Sequence, residues 1–241
     1  MKCLEIAAFN IESALASEKF GADRIEFCEN AHEGGTTPSY GALKMLKQFA
    51  NIPVFPIVRP RGGDFLYSST EFEVMKMDIE IIKSLGYEGI VIGILNEVGN
   101  LDISRNKKLI HLAYPLDVTL HRAFDRTKDP LESLEIAIDC GFQRILTSGQ
   151  VPNALNGLSL INTLIEKADN RIIIMPGSGV RSSNAKQLMI ETGAQEIHSS
   201  ARVQISSSMK FNQSLMQEKL ESVFVDENEI KLLSKIVHEE N

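Results

Sequence analysis

The sequence is poor in the features that define several broad protein classes. It has no long run of basic residues, and a formal net charge of −7 argues against a broad nucleic-acid surface. No apolar segment approaches the roughly 20 residues needed to span a bilayer, so no membrane partner is expected. The first residues, MKCLEIAAFNIESA, meet acidic side chains at once and lack the long apolar core of a signal peptide. Cysteine is scarce: Cys3, Cys28 and Cys140 are too widely spaced for a disulfide framework, and none belongs to a CxxC pair or a His/Cys cluster with zinc spacing. These absences lead to the expectation of a cytoplasmic protein with reduced thiols.

What is present is a repeat. The segments FGADRIEF at Gly21, LGYEGIVI at Gly86, CGFQRILT at Gly141 and TGAQEIHS at Gly193 each end an amphipathic run with glycine and enter a β-prone run. Glycine accepts the left-handed conformation that closes a helix. Asp129-Pro130 with Glu132 marks a helix start, and Thr70 with Glu73 fits a capping box. Strands are expected near Cys3–Ala8, Arg24–Cys28, Val54–Arg59, Ile90–Ile94, Val118–His121, Arg144–Ser148, Ile172–Met175 and Glu196–His198. Helical runs separate them, among them Ile11–Phe20, Thr70–Leu85, Pro130–Cys140 and Asn184–Thr192.

Strand alternating with helix implies a parallel sheet. Eight such units in 241 residues favour the α/β class as a single closed (β/α)8 barrel of TIM type over an open doubly wound sheet, which remains the alternative. No linker interrupts the chain. The barrel is assigned to residues 1–205, and the polar segment 206–214 introduces a C-terminal helical tail, 206–241, packed on the same domain.

Side chains alternate along a strand, so one set should face the helices and the other the barrel interior. The inward sets are Glu5 and Ala7; Arg24, Glu26 and Cys28; Asp117, Thr119 and His121; Glu196 and His198. An unpaired buried charge costs several kcal/mol, so these groups must pair or face a wet pocket. Arg59, closing the third strand, is the expected counterion of Glu5 or Glu26, although a barrel plugged by ion pairs and devoid of chemistry satisfies the same pattern. Arg61, His121, Arg122, Asp125 and His198 fall at or just beyond strand C-termini, where barrels of this type place their sites.

The stretch IVRPRGGDF sets two permanent cations beside a Gly-Gly turn that lets a ligand approach the main chain. Asp64 there anchors Arg61 or meets a ligand hydroxyl. The loop HRAFDRTKDP offers His121 as an acid or base beside Asp125, with Glu26 as a further proton-transfer candidate. Late in the chain, MPGSGV and HSSARV follow the seventh and eighth strands. Loops there hold phosphate in other barrels, which brings Gly177, Ser178, Gly179, His198 and Ser199 into a ligand-binding set with Glu5, Arg59, Arg61 and Asp64; two tight turns with no ligand are the alternative. Cys28, at the barrel mouth, is either a small buried hydrophobe or a soft ligand for copper(I).

The segments GADRIEFCENAHEGGTTPS, IPVFPIVRPRGGDFLYS, DVTLHRAFD, RILTSG, MPGSGV and EIHSSA together resemble the CutC copper homeostasis proteins, from Glu5 to about Val203. RPRGGDF and HRAFD are the most specific of them. The resemblance implies a TIM-type barrel, a cytoplasmic location, a homodimer or higher oligomer, and copper binding or trafficking with copper(I) as the metal. Family members proposed to bind copper(I) carry a cysteine two residues after the position of Glu5, where this sequence has Ala7; the second proposed ligand matches Cys28. Two functions stay open: a copper-binding or copper-tolerance protein using Cys28, and a barrel enzyme or sensor for a small anionic metabolite, phosphorylated or not, at the barrel mouth.

Overall fold

Each of the four repeated glycines ends a helix with positive φ, 102° at Gly21, 79° at Gly86, 94° at Gly141 and 69° at Gly193, and a strand follows within a few residues. With no Cβ to clash, the backbone reverses there at little strain. The computed structural model describes residues 2–239 apart from 214, 218 and 219. Its elements are β1 (Cys3–Ala8), α1 (Ile11–Lys19), β2 (Arg24–Phe27), α2 (Tyr40–Leu46), β3 (Val54–Pro56), α3 (Ser69–Ser84), β4 (Gly89–Ile92), α4 (Ile103–Ala113), β5 (Asp117–Leu120), α5 (Pro130–Cys140), β6 (Arg144–Thr147), α6 (Leu158–Ala168), β7 (Ile173–Pro176), α7 (Ser182–Thr192), β8 (Glu196–Ser199), β9 (Arg202–Ile205), β10 (Ser222–Val225) and α8 (Glu227–His238).

Strands β3, β2, β1 and β8 form one parallel arc, and β4, β5, β6 and β7 form another. The arcs meet where Ile57 pairs with Val91, with Val58 N donating to Val91 O at 2.8 Å, and where β7 runs beside β8. The sheet therefore closes into the expected (β/α)8 barrel. Its outward strand residues, such as Leu4, Ile6, Ile25 and Phe27, are fully buried under helix faces such as Met75, Ile79 and Ile82 of α3; positions three and four apart on a helix lie on one face.

The inward set is charged. Arg24 Nε donates to Glu5 Oε2 and its Nη2 to Glu196 Oε2, both at 2.5 Å, while Arg144 Nε reaches Glu196 Oε2 at 3.0 Å. Both guanidinium groups stack on the ring of Phe55, at 5.2 and 5.4 Å. A Cβ at Gly89 would lie 2.5 Å from that ring, so the absence of a side chain there is what admits it. Two cations and two anions thus cancel within one layer. Asp117, expected to point inward, instead sits exposed at the start of β5, with its carboxylate 3.7 Å from Arg144.

Three local expectations are corrected. The capping box before α3 is Ser68 with Glu71, both bonds present, rather than Thr70 with Glu73; serine two residues earlier has the extended backbone an N-cap requires. Several strands end one to three residues from their expected limits, most clearly β3, which stops at Pro56 rather than Arg59. The segment after residue 205 is not wholly helical. β10 returns antiparallel to β9, with Ser222 opposite Ile205, before α8 packs against α7, α1 and β1. Of the polar segment 206–214, residue 214 lies outside the described residues. No helix among the described residues is long and apolar enough to cross a membrane.

Replacing Arg24 by methionine leaves Glu5 and Glu196 facing each other without their shared cation. The expected loss is about 3–5 kcal/mol, read by urea denaturation; an unchanged midpoint would mean that the layer carries no net stability.

Candidate functional site

Above the salt-bridge layer, toward the C-terminal ends of the strands, the barrel opens into a cavity of about 470 Å³. β2 brings Glu26 to its wall and β8 brings His198. His198 Nδ1 lies 2.7 Å from Glu5 Oε1, and its Nε2 lies 3.6 Å from Glu26 Oε2. Burial disfavours the His198 cation, but its hydrogen bond to Glu5 and the charge of Glu26 outweigh this and raise its pKa. Glu5 is likewise buried, yet Arg24 and His198 hold its carboxyl well below the usual range. Glu26 differs. Burial, aided by the negative charge of Glu5, pushes its pKa up to about 7 against the pull of His198 and Arg24. Glu5 is thus a support beneath the site and does not line the cavity.

The chain just past β5 places His121 on the same wall. Its Nδ1 accepts a hydrogen bond from Ala123 N at 3.2 Å, which fixes the ring proton on Nε2. Nε2 is buried with no partner among the described residues. Burial and the nearby Arg59 charge lower its pKa to about 3, so the ring is neutral at any ordinary pH. Gly93 makes this placement possible, since a Cβ there would lie 2.7 Å from the imidazole. His121 was expected to act as an acid or base; the structure makes it a neutral hydrogen-bond donor, because its only basic nitrogen is already used.

Arg59 does not pair with Glu5 or Glu26. Its Nη1 donates to the carbonyls of Glu33 and Gly35, both at 2.6 Å, and its Nη2 to that of Gly63 at 2.9 Å. One cation thereby ties the loop after β2 to the loop after β3. It lines the cavity, and its Nε is buried without a partner among the described residues. Arg61 and Asp64 are not in the cavity wall. Arg61 bonds Asp64 Oδ1 at 2.9 Å and Glu71 Oε1 at 2.6 Å, so this pair fastens the loop to the start of α3.

Asp125 lines the cavity, but it is not free for proton transfer. Its two oxygens accept from Thr147 Oγ1, Ser148 N, Ser148 Oγ, Gln150 N and Arg122 Nε, which makes it the clasp between the loops after β5 and β6. Ser178 and Gly179 reach the cavity with successive positive φ values of 81° and 70°, and their amides have no acceptor among the described residues. The Ser178 hydroxyl donates to Pro152 O. Gly177 lies behind the wall, where a Cβ would meet Leu146 and His198. Ser199 is buried and donates to Val180 O; its neighbour Ser200 takes the cavity position expected of it. Among the described residues no helix N-terminus completes this corner: β8 leads into β9, and the first turn of α7 is met by Glu229, which accepts from Ser182 N and Oγ.

Sequence reasoning passed over Arg126, Arg181 and Arg202, all in the cavity wall, and Arg144 in the layer below. Arg144 shares its strand parity with the cavity residue Leu146, a signal that was available. Arg202 belongs to the hairpin, which no pattern announced.

Cys28 sits outside the cavity wall, buried among Phe55, Ile57, Val91 and Phe9. A Cβ at Gly35 would lie 3.1 Å from its sulfur. Burial raises its pKa well above that of a free thiol, which disfavours the thiolate that copper(I) prefers. Cys3 begins β1 at the other end of the barrel, and burial raises its pKa to about 12. Ala7, opposite Glu26 in the ladder, offers no ligand. Among the described residues no group of three or more His, Cys, Asp or Glu is arranged to hold a metal. The donor set does not fit a copper(I) centre at Cys28.

Fold and site together define a TIM-type barrel with a cationic pocket at the C-terminal mouth. The CutC family model matches residues 2–203, and the chain belongs to that family. A human relative named copper homeostasis protein cutC homolog is 49% identical over 211 residues, covering 88% of this chain and 77% of the relative. A CutC family protein of Parabacteroides distasonis is 44% identical, with 95% and 98% covered. The crystal structure of CutC from Streptococcus agalactiae superposes with a TM-score of 0.79 at 33% identity, covering 83% of this chain and 99% of that one. Phosphoribosyl anthranilate isomerase of Thermotoga maritima, at 15% identity and a TM-score of 0.61 over 98% of both chains, shares the fold alone.

A carboxyl whose pKa is raised on folding stabilises the native state below its unfolded value, about 4.3, and that contribution is lost as the pH rises through the folded value. For Glu26 the window ends near 7, and the raised His198 acts in the same direction. Between about pH 5 and pH 8 the parent protein is therefore expected to lose stability relative to Glu26→Gln, by on the order of 2 kcal/mol. Urea denaturation at the two pH values measures this, and parallel behaviour of the two proteins would contradict it.

Proposed function

We propose that this chain binds a small anionic metabolite at the mouth of its barrel, and that its part in the copper homeostasis for which its relatives are named runs through that pocket rather than through a thiol-held metal. One observation carries the reading. The cavity wall holds five arginines (Arg59, Arg122, Arg126, Arg181 and Arg202) against three carboxylates, in a protein whose net charge is −7. Arg122 is engaged by Asp125, while Arg126 and Arg202 have no carboxylate partner among the described residues. Such a local excess of fixed cations in a concave site draws and holds anions.

The chemistry of the corner near Ser178 and Gly179 supports a phosphate or similar oxyanion. Turns that present successive free amides bind such groups, and Arg181 and Arg202 stand beside them. A cavity of about 470 Å³ suits a small metabolite. The side chains that would recognise the rest of the molecule, Glu26, His121 and His198, come from three different strands or their ends. Binding and a sensing role need no more than this.

Thermal unfolding in phosphate or phosphoglycolate, against chloride at equal ionic strength, tests the reading. Ligand at a hundredfold excess over Kd stabilises by about 2.7 kcal/mol, and the Arg126→Ala, Arg202→Ala double variant should lose most of that gain. No stabilisation by either anion would refute it. Copper(I) competition titrations should give the same affinity for the parent and for Cys28→Ser; a large loss in the variant would return the function to the thiol.

A further inference from the structure

Two hydrogen-bond donors in the cavity wall have nothing to bond. Arg59 Nε–H and His121 Nε2–H are both buried and unpartnered among the described residues, and an unmet buried donor costs about 1–3 kcal/mol. They are also neighbours. The Arg59 guanidinium lies 5.1 Å from the centroid of Phe65, and the His121 ring lies 4.8 Å from the same centroid. Each is held rigidly, Arg59 by three backbone carbonyls and His121 by Ala123 N. Neither can turn far without breaking those bonds. The buried hydroxyl of Tyr67, close to Arg59, is likewise unpartnered among the described residues. Fixed, unpartnered donors on two residues that line a binding cavity fit an oxygen supplied by a ligand that settles against them.

A third group in the wall complements them. Glu26 and His198 stand above a layer in which Arg24 and Arg144 cancel Glu5 and Glu196. With that layer neutral, Glu26 and His198 hold one proton between them without net charge, whichever of the two carries it. His198 sits between two carboxylates, with Nδ1 toward Glu5 and Nε2 toward Glu26, which favours the imidazolium and leaves Glu26 as a base. The groups facing Glu26 are Glu5 from β1, Arg24 from its own strand and His198 from β8. Burial raises its affinity for a proton, as a general base working near neutral pH requires.

Resting on the anion-binding reading above, we propose that the cavity catalyses proton transfer at a carbon beside a carbonyl of a phosphorylated small molecule, with His121 Nε2–H and Arg59 Nε–H receiving the oxygen and Glu26 moving the proton. The carboxylate of Glu26 removes a proton from the carbon next to the carbonyl. The electron pair of the broken C–H bond becomes the C=C bond of an enol(ate), and the carbonyl π pair moves onto the oxygen facing the two donors. Return of the proton from Glu26 to the same carbon gives exchange or epimerisation. Where that carbon bears a hydroxyl, passage of the hydroxyl proton to the former carbonyl oxygen and return of the proton from Glu26 to the former carbonyl carbon give the isomeric hydroxy-carbonyl compound. No oxidant, reductant or second substrate is consumed. His198 is a positioning residue, whose charge balances Glu26 in its basic form. A neutral imidazole suits this task, since a weakly acidic N–H supports a developing oxyanion without surrendering its own proton.

The test separates this inference from the anion reading. Calorimetric titration compares phosphoglycolate, whose planar carboxylate mimics an enolate, with glycerol phosphate, which carries the same phosphate and no trigonal oxygen. The parent should bind phosphoglycolate about tenfold or more tightly than glycerol phosphate, a factor that corresponds to one good charge-assisted hydrogen bond. His121→Phe should erase the difference while keeping glycerol phosphate affinity. Equal binding of the two compounds by the parent, which needs no variant to fold, would overturn the inference and leave the anion reading standing. Binding of neither would overturn both. Proton NMR of aldose and ketose phosphates in deuterium oxide supplies the chemical readout. Loss of an α C–H signal with the parent but not with folded Glu26→Gln supports the assignment, and retention of every such signal with the parent overturns it.

Discussion

Two arginines and two glutamates inside the barrel neutralise one another, and the geometry above them inherits that balance. An aliphatic layer would fill the same space at no electrostatic risk, since replacing a buried ion pair by packed hydrophobes is often neutral or stabilising. What the charged layer provides is position. Glu5, held by Arg24, reaches upward with its second oxygen to orient His198, and His198 in turn faces Glu26. Remove the compensation below, and the protonation state of everything facing the cavity changes with it.

The arginines divide into two kinds of work. Arg24, Arg61, Arg122 and Arg144 are committed to carboxylates, and Arg59 to backbone carbonyls through its terminal nitrogens. These are bracing roles, although Arg59 keeps one N–H in reserve. Arg126, Arg181 and Arg202 stand in the cavity wall without a carboxylate pairing among the described residues. The IVRPRGGDF stretch belongs mostly to the first kind. Its second arginine and its aspartate secure a loop, and only its first contributes to the cavity.

Much of the fold was legible because its punctuation is chemical. Glycine at a left-handed helix end is hard to replace, and four of them at matching places announced the strand–helix alternation. Strand parity correctly turned Glu5, Glu26, Glu196 and His198 inward, because a period of two depends only on the backbone. Parity carries no height along the barrel axis, however. It could not tell that Arg24 and Arg144, at the starts of their strands, lie level with Glu5 and Glu196, while Arg59 lies a layer higher among carbonyls. That offset comes from the stagger of strands around the barrel. Nor could it give the tautomer of His121, set by one amide two residues on, or the saturation of Asp125 by a loop more than twenty residues away. The hairpin that brings Arg202 to the cavity escaped notice because its strands are short and largely exposed.

The closing contacts of the barrel also bear on the order in which it can be made. Arg24 meets Glu196 across 172 positions and Glu5 meets His198 across 193. On a ribosome, the first strands emerge long before their last partners are translated. Until β8 arrives, Arg144 has no buried carboxylate to meet, and the interior of the half-built sheet stays hydrated around its charges. The chain thus carries its own check on completeness: a nascent barrel cannot dry and close until the final strand supplies Glu196.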